Sequence, residues 1–289
     1  MNKVLITGSD GQLGRKIWDI HKNFSSKFDF TDINLLDITD KISIENYFEK
    51  NKPDIIINCA AYTAVDNAED DYNIAKKVNC DAVKYLAEAS IKYHSKIIHI
   101  STDYVFDGNA NTPYTENSPT KPVNKYGQSK LLGEKALVSI NPNSIIIRTS
   151  WLYSEYGNNF FKTILKLSEE KEYLKVVFDQ LRSPTYAGCL ADIIMHIVTE
   201  STENKFWKPG IYNFSNEGVC SWHDFAFMIL KNHAKKIPVY PVLNKEFPTK
   251  AKRPNCSVLD KTKVCDTYNV LIQHWSEALM RCIDNIKVI

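Results

Sequence analysis

The sequence lacks the cysteine and histidine patterns that build disulfide frameworks and metal sites. Its seven cysteines and seven histidines are dispersed through 289 residues, with no C-x-x-C pair and no H-E-x-x-H motif. Scattered cysteines in odd number are typical of reduced thiols. We therefore expect neither disulfides nor a bound metal.

Long apolar runs and an excess of charge of one sign are also missing. No stretch approaches the ~20 apolar residues of a membrane-spanning helix, and Met1 runs directly into "KVLITG" without a signal-peptide pattern. The 36 basic and 34 acidic residues form no long run of either sign, which argues against a patch for nucleic acid or a membrane surface. We expect a cytoplasmic protein whose partner is a small molecule.

The first half of the sequence alternates short β-branched runs with longer helical patterns. Strands are predicted at 3–7, 27–31, 54–58, 96–101 and 144–150, and helices at 11–23, 40–50, 72–93 and 124–140. This alternation is typical of βαβ units around a parallel sheet. We predict an α/β fold in which residues 1–150 form a doubly wound, Rossmann-type parallel sheet.

Beyond residue 150 the alternation of strand and helix patterns becomes less regular. Helices are predicted at 158–170, 187–200 and 221–234, and prolines at 184, 209, 238, 241, 248 and 254 interrupt the remainder. We predict that residues 151–289 form mainly a second, smaller substrate-binding lobe, with some segments returning to the first domain.

A glycine-rich stretch, "ITGSDGQLG", joins the first predicted strand to the first predicted helix. Glycines at 8, 11 and 14 permit a tight turn, let a pyrophosphate approach bare backbone and let the helix pack closely. The helix N-terminus adds amide donors and a partial positive charge. In this context the motif predicts a dinucleotide cofactor, held by Gly8, Gly11, Gln12, Leu13 and Gly14.

The sequence leaves open the choice between NADH and NADPH. Asp32 ends the second predicted strand, 18 residues after Gly14, where a carboxylate accepts from a ribose hydroxyl and favours NADH. Arg15 and Lys16, directly after the last glycine, are placed to meet a 2′-phosphate instead, although such cations are as often merely solvated.

Two further pairs are candidate cofactor contacts. Asp37 and Ile38, in "LLDIT", are placed to reach the adenine. Ala60 and Ala61, in "NCAAYT" at the end of the third strand, are small enough for the cofactor to lie over them. Close packing between strands explains the two alanines equally well.

Tyr126 and Lys130 lie four residues apart in a predicted helix and therefore share one face. A nearby ammonium stabilises a phenolate and lowers the phenol pKa, which makes the pair suited to proton transfer at a carbonyl or alcohol oxygen. The pattern alone is common in helices. It gains weight because Thr102 ends the fourth strand, and ligands of open α/β sheets bind beyond the carboxyl ends of the strands.

Six motifs occur in a characteristic order between residues 7 and 187: "TGSDGQLG", "NCAAYTAVDNAE", "STDYVFDG", "YGQSKLLGE", "RTSWLY" and "DQLRSPTYA". "GVCSWHDFA" and "RPNCSVLD" extend the match to about residue 260. With these motifs the sequence resembles the extended short-chain dehydrogenase/reductase family. Within it, the match is to enzymes that reduce the 4-keto group of dTDP-4-dehydro-β-L-rhamnose to dTDP-L-rhamnose with NADPH or NADH.

The resemblance implies a role for each candidate residue. Tyr126 would protonate the developing alkoxide, Lys130 would lower the pKa of Tyr126 and hold the nicotinamide ribose, and Thr102 would donate to the keto oxygen. The substrate would be lined by Thr63, Val65, Asp103, Tyr104 and Trp151, with Asn159, Phe160 and Arg253 toward the thymidine diphosphate.

The sequence departs from the family at two places. Arg182 stands where many members have glycine in "DQxGxPT", and a cation there would contact the diphosphate or alter specificity. Some members dimerise through magnesium held by glutamates, but the first such position is near Lys16 here, and "YAGCLAD" and "DNIKVI" supply no glutamate. From this departure we expect a monomer or a metal-free homodimer.

Two alternatives remain open at the level of the sequence. One is another nucleotide-sugar reductase, epimerase or dehydratase on the same scaffold, because fold and catalytic residues do not fix the substrate. The other is a non-catalytic regulatory subunit that keeps the cofactor loop. The presence of Thr102, Tyr126 and Lys130 argues against the second.

Overall fold

The first five strands follow the short runs from which the sequence predicted them, and the later strands were not predicted. In the computed structural model, which describes residues 2–232 and 236–286, the strands are β1 (Lys3–Thr7), β2 (Lys27–Thr31), β3 (Ile55–Asn58), β4 (Lys96–Thr102), β5 (Ile145–Thr149), β6 (Leu152–Tyr153), β7 (Leu174–Val177), β8 (Leu181–Arg182), β9 (Thr185–Tyr186), β10 (Gly210–Asn213), β11 (Cys220–Ser221) and β12 (Val239–Val242). The first five lie within one residue of their predicted boundaries.

The helices before residue 232 follow the predicted periodic segments, whereas the two nearest the C-terminus were not predicted. The helices are α1 (Gln12–Ile20), α2 (Lys41–Asn51), α3 (Tyr72–Lys76), α4 (Ala82–Lys92), α5 (Lys125–Ile140), α6 (Phe160–Glu170), α7 (Ala187–Thr202), α8 (Trp222–Lys231), α9 (Thr262–Tyr268) and α10 (Trp275–Ile286). The helix predicted at 72–93 is α3 and α4 joined by a π-helical turn at Lys77–Asp81. Residues 233 and 234 of the helix predicted at 221–234 lie outside the described residues.

The central sheet has six parallel strands in the order β10-β5-β4-β3-β1-β2. Side chains of the four central strands alternate between two buried faces, which is why these strands read as nearly continuous apolar runs. Val4 and Ile6 pack in a core with residues of α1 and α7, whereas Leu5 packs in a second core with residues of α2 and α4. The predicted doubly wound parallel sheet is therefore confirmed.

One strand of this sheet comes from beyond residue 150. β10 pairs with the edge of β5, with Ile211 opposite Ile146. The remaining strands of the second half pair in short two-stranded sheets, β6 with β9, β7 with β12 and β8 with β11. A division into two lobes near residue 150 stays a prediction, and β10 is a segment on the far side of that boundary that joins the main sheet.

The parallel register brings the carboxyl ends of four strands to one edge. Thr7 of β1 lies opposite Asn58 of β3, and Thr102 of β4 lies opposite Thr149 of β5. Loops that leave this edge carry the glycine-rich stretch and most of the candidate catalytic and substrate-binding residues. This edge is where α/β sheets bind their ligands.

Candidate active site

The glycine loop after β1 has no room for a side chain at Gly8 or Gly14. Gly8 has φ of +65°, and a Cβ there would lie 2.7 Å from Cα of Ala60. A Cβ on Gly14 would lie 2.5 Å from Cα of Ser9, so α1 packs directly on the turn. The result is a cradle of bare backbone that ends at the N-terminus of α1, which fits the pyrophosphate of a dinucleotide.

A cavity of about 550 Å³ extends from this cradle along the strand ends. It is lined by cofactor candidates Gly8, Gly11, Gln12, Leu13, Gly14 and Ala61, by Thr102, Tyr126 and Lys130, and by substrate candidates Thr63, Val65, Asp103, Tyr104, Trp151 and Asn159. The sequence motifs, which are up to about 150 residues apart, therefore meet around one space. Cys59 and Trp222 also line it and were not predicted.

Tyr126 reaches the cavity because α5 begins at the right residue and packs closely. Asn124 caps the helix, and its side-chain oxygen accepts from the amide of Gly127 over 2.8 Å. A Cβ on Gly127 would collide with the carbonyl oxygen of Tyr104. The first turn of α5 therefore lies against Tyr104, whose ring meets that of Tyr126 edge to face at 5.5 Å.

The phenol of Tyr126 is buried, and its acidity depends on Thr102. Burial raises the pKa of Tyr126, the hydrogen bond with Thr102 opposes this rise, and the charge of Asp103 adds to it. Thr102 is also buried, and its hydroxyl donates to Oδ1 of Asp103 over 3.3 Å. The hydroxyl of Thr102 is therefore shared between the phenol and a carboxylate.

Lys130 makes different contacts from those expected. Its ammonium donates to the carbonyl oxygen of Ile100 over 2.6 Å and lies 3.5 Å from Nε2 of His99. Burial lowers the pKa of Lys130 to about 8. Among the described contacts it is Thr102, and not Lys130, that lowers the pKa of Tyr126, so the electrostatic effect expected of Lys130 on the phenol is not seen in this arrangement.

Asp32 and Arg15 face a separate cavity of about 360 Å³ beside the glycine loop. Asp32 accepts from the amide of Asp10 over 3.0 Å, and Arg15 donates to the carboxylate of Asp10 over 2.8 Å. The acidic and basic candidates for the ribose end thus lie in the same place, and geometry alone does not choose between NADH and NADPH.

Three cofactor candidates line none of these cavities, which are formed by residues within 2–232 and 236–286. Asp37 accepts from the amide and hydroxyl of Thr39, and Ile38 is buried in the second core. Ala60 packs against Gly8. A structural role explains the local contacts of all three, and a role in cofactor binding stays a prediction for them.

Trp151 forms part of the cavity wall in a strained conformation. Its φ is +44°, and its ring stacks on that of Trp222 with centroids 3.4 Å apart. The indole nitrogen of Trp151 is buried with no hydrogen-bond partner among the described residues. Trp222 begins α8, after the two-residue strand β11, and the sequence signal that could have marked it is the motif "GVCSWHDFA", which contains it.

The second half is tied to the cofactor loop by amide contacts. Asn159 caps α6 and donates to Oε1 of Gln12 over 2.8 Å. Arg253 lies instead at an adjoining cavity of about 310 Å³, which Trp222 and Phe160 also line, and it is paired with Asp66 over 2.6 Å. The residues predicted to bind the diphosphate therefore line two neighbouring cavities.

Arg182 lines none of the cavities that the described residues form. It is fully buried and forms an ion pair with Asp103, with Nε 3.0 Å from Oδ2. The expected direct contact with the diphosphate is not supported by this position, because the guanidinium is held behind the cavity wall.

The loop that carries Thr63 and Val65 is held by a residue that the sequence did not reveal. Asn79 lies in the π-helical turn, where its side chain accepts from the amide of Tyr62 over 2.9 Å and donates to the carbonyl of Tyr62 over 3.0 Å. It also donates to Ser129 of α5 over 3.0 Å. The π turn thus positions the loop against the catalytic helix, and no local pattern indicates it.

At the first position where some family members place a magnesium-binding glutamate, this chain has Lys16, which forms an internal ion pair. The ammonium of Lys16 lies 2.7 Å from Oε1 of Glu155 and 2.9 Å from Oδ2 of Asp19. Within the described ranges, no group of three or more histidine, cysteine or acidic residues is arranged to hold a metal ion. The absence of a bound metal stays a prediction.

Comparison with known proteins connects this geometry to a family. The model of the family described as "RmlD substrate binding domain" matches residues 1–288. A dTDP-4-dehydrorhamnose reductase of Aggregatibacter actinomycetemcomitans is 41% identical, over 96% of this chain and 97% of its own. The crystal structure of a dTDP-4-dehydrorhamnose reductase from Clostridium acetobutylicum is 39% identical with a TM-score of 0.93, covering 99% of both chains.

A second solved structure carries a cofactor. The dTDP-4-dehydrorhamnose reductase of Bacillus anthracis, determined in complex with NADP, is 37% identical with a TM-score of 0.93, covering 99% of this chain and 100% of that chain. The chain therefore belongs to the dTDP-4-dehydrorhamnose reductase family of NAD(P)H-dependent oxidoreductases.

Proposed function

We propose that this protein reduces the 4-keto group of dTDP-4-dehydro-β-L-rhamnose to dTDP-L-rhamnose. The observation that carries the proposal is that Thr102, Tyr126 and Lys130 line the same cavity as the glycine cradle. The nicotinamide supplies the hydride when bound. The loop from Gly8 to Gly14 holds the pyrophosphate, and the chain's own residues orient the ketone and deliver the proton.

Tyr126 acts as the general acid for the oxygen that receives the negative charge. Its buried phenol remains protonated at neutral pH, because burial raises its pKa, and Thr102 lies beside it to donate to the same oxygen. Lys130 holds the ribose next to the phenol. Thr63, Val65, Asp103, Tyr104 and Trp151 line the sugar, and Asn159 and Arg253 lie toward the diphosphate.

The direct test is turnover with an identified product. Purified protein is supplied with dTDP-4-dehydrorhamnose made in situ, oxidation of NADPH or NADH is followed by absorbance, and the sugar product is identified. One reduced nicotinamide consumed per dTDP-L-rhamnose formed is the expected result. Conversion of a nucleotide sugar without net cofactor consumption would indicate an epimerase or dehydratase instead, and a stable complex with another enzyme without turnover would indicate a regulatory subunit.

We further propose that the protein works in the cytoplasm as a monomer or a metal-free homodimer, and that it binds neither nucleic acid nor a membrane. In the part of the chain that the structure covers, no helix is both long enough and apolar enough to pass through a bilayer. The formal charge of +2 also fits a small-molecule enzyme better than a polyanion-binding one.

The pH dependence of the reaction should follow Lys130. Its pKa of about 8 means that kcat/KM falls above about pH 8 if the ammonium holds the ribose. The pKa of Lys130 in the folded protein lies below its ordinary value of 10.5, so Lys130 makes the fold more stable as pH rises from about 8 to 10.5. Unfolding linked to Lys130 therefore does not explain the fall of kcat/KM. We expect Lys130→Arg, whose charge persists, to move the decline above pH 9.5 or so; a flat wild-type profile to that pH would contradict the assignment.

Cofactor preference should depend on Asp32 and Arg15. Asp32→Ser removes a carboxylate that repels a 2′-phosphate, and we expect the ratio of kcat/KM for NADPH to that for NADH to rise about tenfold, or ~1.4 kcal/mol. Arg15→Ser is the matched opposite change and should lower the ratio. If neither substitution alters the ratio, the cavity beside the glycine loop does not bind the adenosine ribose.

A further inference from the structure

Arg182 is a fully buried cation that the proposed reaction does not use. Its Nε lies 3.0 Å from Oδ2 of Asp103 and donates to Oγ of Ser257 over 2.5 Å. Ser257 in turn donates to the same oxygen of Asp103 over 2.5 Å. Nη2 donates to the carbonyl of Pro254 over 3.2 Å. The guanidinium and the carboxylate are thus locked together, and turning Arg182 toward a substrate would break a buried ion pair.

The partner of Arg182 lies directly beside a catalytic hydroxyl. Asp103 follows Thr102 at the end of β4, and its other oxygen, Oδ1, accepts from the hydroxyl of Thr102 over 3.3 Å. A carboxylate is a stronger acceptor than a neutral oxygen. The strength of Asp103 as an acceptor therefore decides how far the proton of Thr102 is available to Tyr126 and to the keto oxygen.

Arg182 also supports the wall that faces the substrate. Its guanidinium carbon lies 4.7 Å from the centre of the Tyr104 ring and 5.5 Å from that of Trp151. Tyr104 meets the ring of Tyr126 edge to face. Arg182 thus contacts three parts of the cavity wall from behind: the carboxylate of Asp103 and the two aromatic rings.

We propose that Arg182 is a positioning residue of the reduction, which neutralises and holds Asp103 so that the hydroxyl of Thr102 serves Tyr126 and the keto oxygen, and which does not itself contact the substrate. This inference rests on the proposed function. Arg182 opposes the rise in the pKa of Asp103 that burial causes. Without Arg182, a charged Asp103 would draw the proton of Thr102 to itself and raise the pKa of Tyr126, as it already does in part, and an Asp103 that took up a proton would stop accepting from Thr102; both changes take the hydroxyl of Thr102 away from its present orientation. The chemical step would slow, whereas binding of the nucleotide would not change.

The test is a double-mutant cycle read in kcat, KM and the affinity for dTDP. We expect Arg182→Met to lower kcat about 10- to 100-fold while KM and the calorimetric Kd of dTDP stay within about threefold. In the Asp103→Asn background, where no charge remains to neutralise, the same change should alter kcat by less than about threefold.

Two further variants make the result interpretable. Arg281→Met is the control for loss of an arginine–aspartate pair away from the active-site cavity. Arg281 pairs with Asp192 over 2.6 Å and lies over a tyrosine ring at 5.6 Å, in a more exposed position than Arg182; its kcat should be unchanged. Arg182→Lys keeps the charge and should keep kcat within about tenfold of wild type. If Arg182→Met is insoluble, this lysine variant and the comparison of Asp103→Asn with the double variant decide the question.

The outcomes separate the possible failures. An equal loss of kcat in both backgrounds, or a loss confined to KM and the Kd of dTDP, would overturn the proposal in favour of a purely structural or a substrate-binding role. A wild-type protein that does not turn over dTDP-4-dehydrorhamnose would refute the proposed function itself, whereas failure of this inference leaves wild-type turnover intact.

Discussion

Replacing Tyr126 with phenylalanine is expected to lower kcat by about two to four orders of magnitude. The substitution removes only the phenolic oxygen, which in the proposed mechanism protonates the alkoxide. The ring remains, so its edge contact with Tyr104 and the packing of α5 are retained. A general acid acts in the transition state, and cofactor binding should therefore be almost unchanged. Stopped-flow or steady-state turnover gives kcat, and fluorescence titration with NADPH gives the Kd.

The control for this substitution is Tyr153→Phe. Tyr153 is equally a buried tyrosine, and its hydroxyl has no hydrogen-bond partner within the described residues. Removing that hydroxyl should leave kcat unchanged and should not reduce stability. Turnover of Tyr126→Phe at the wild-type rate, with the Kd for NADPH also unchanged, would remove Tyr126 from the mechanism.

The parts of the fold that the sequence predicted are those whose cause is local. The strands β1 to β5 are short runs rich in β-branched or aromatic residues, and the glycine loop follows β1 directly, so pattern and spacing were sufficient. β10 was not predicted because it begins at a glycine directly after Pro209 and contains a single β-branched residue, and because its partner β5 lies about 65 residues earlier in the chain. The π turn at Lys77–Asp81 likewise has no periodic signal.

The candidate site shows the same division. Spacing placed Tyr126 and Lys130 on one face, and both side chains line the cavity. What the spacing could not show is that Lys130 donates to the carbonyl of Ile100 while Thr102 lowers the pKa of Tyr126. Those details depend on burial and on contacts between distant segments. For the same reason the sequence could mark Arg182 as unusual but could not identify Asp103 as its partner.

Replacing Glu134 with glutamine is expected to destabilise the fold by about 3 to 5 kcal/mol. Glu134 on α5 and Arg148 on β5 are each about 2% exposed, with Nη2 2.7 Å and Nε 3.0 Å from the two carboxylate oxygens. Ser101 donates to the same carboxylate over 2.5 Å. Glutamine preserves the volume but removes the charge, and it leaves the guanidinium buried without a counter-ion. The free energy of unfolding from urea titrations measures the loss.

A surface pair on α6 provides the matched control. Lys166 and Glu170 are 4.0 Å apart, and both are largely exposed, so Glu170→Gln should change the free energy of unfolding by less than about 0.5 kcal/mol. The buried change should also be visible in catalysis, because the charge of Glu134 raises the pKa of Lys130 against the effect of burial. In Glu134→Gln the alkaline decline of kcat/KM should therefore begin below pH 8. A variant with wild-type stability and an unshifted decline would show that this ion pair neither holds α5 on the sheet nor keeps Lys130 charged.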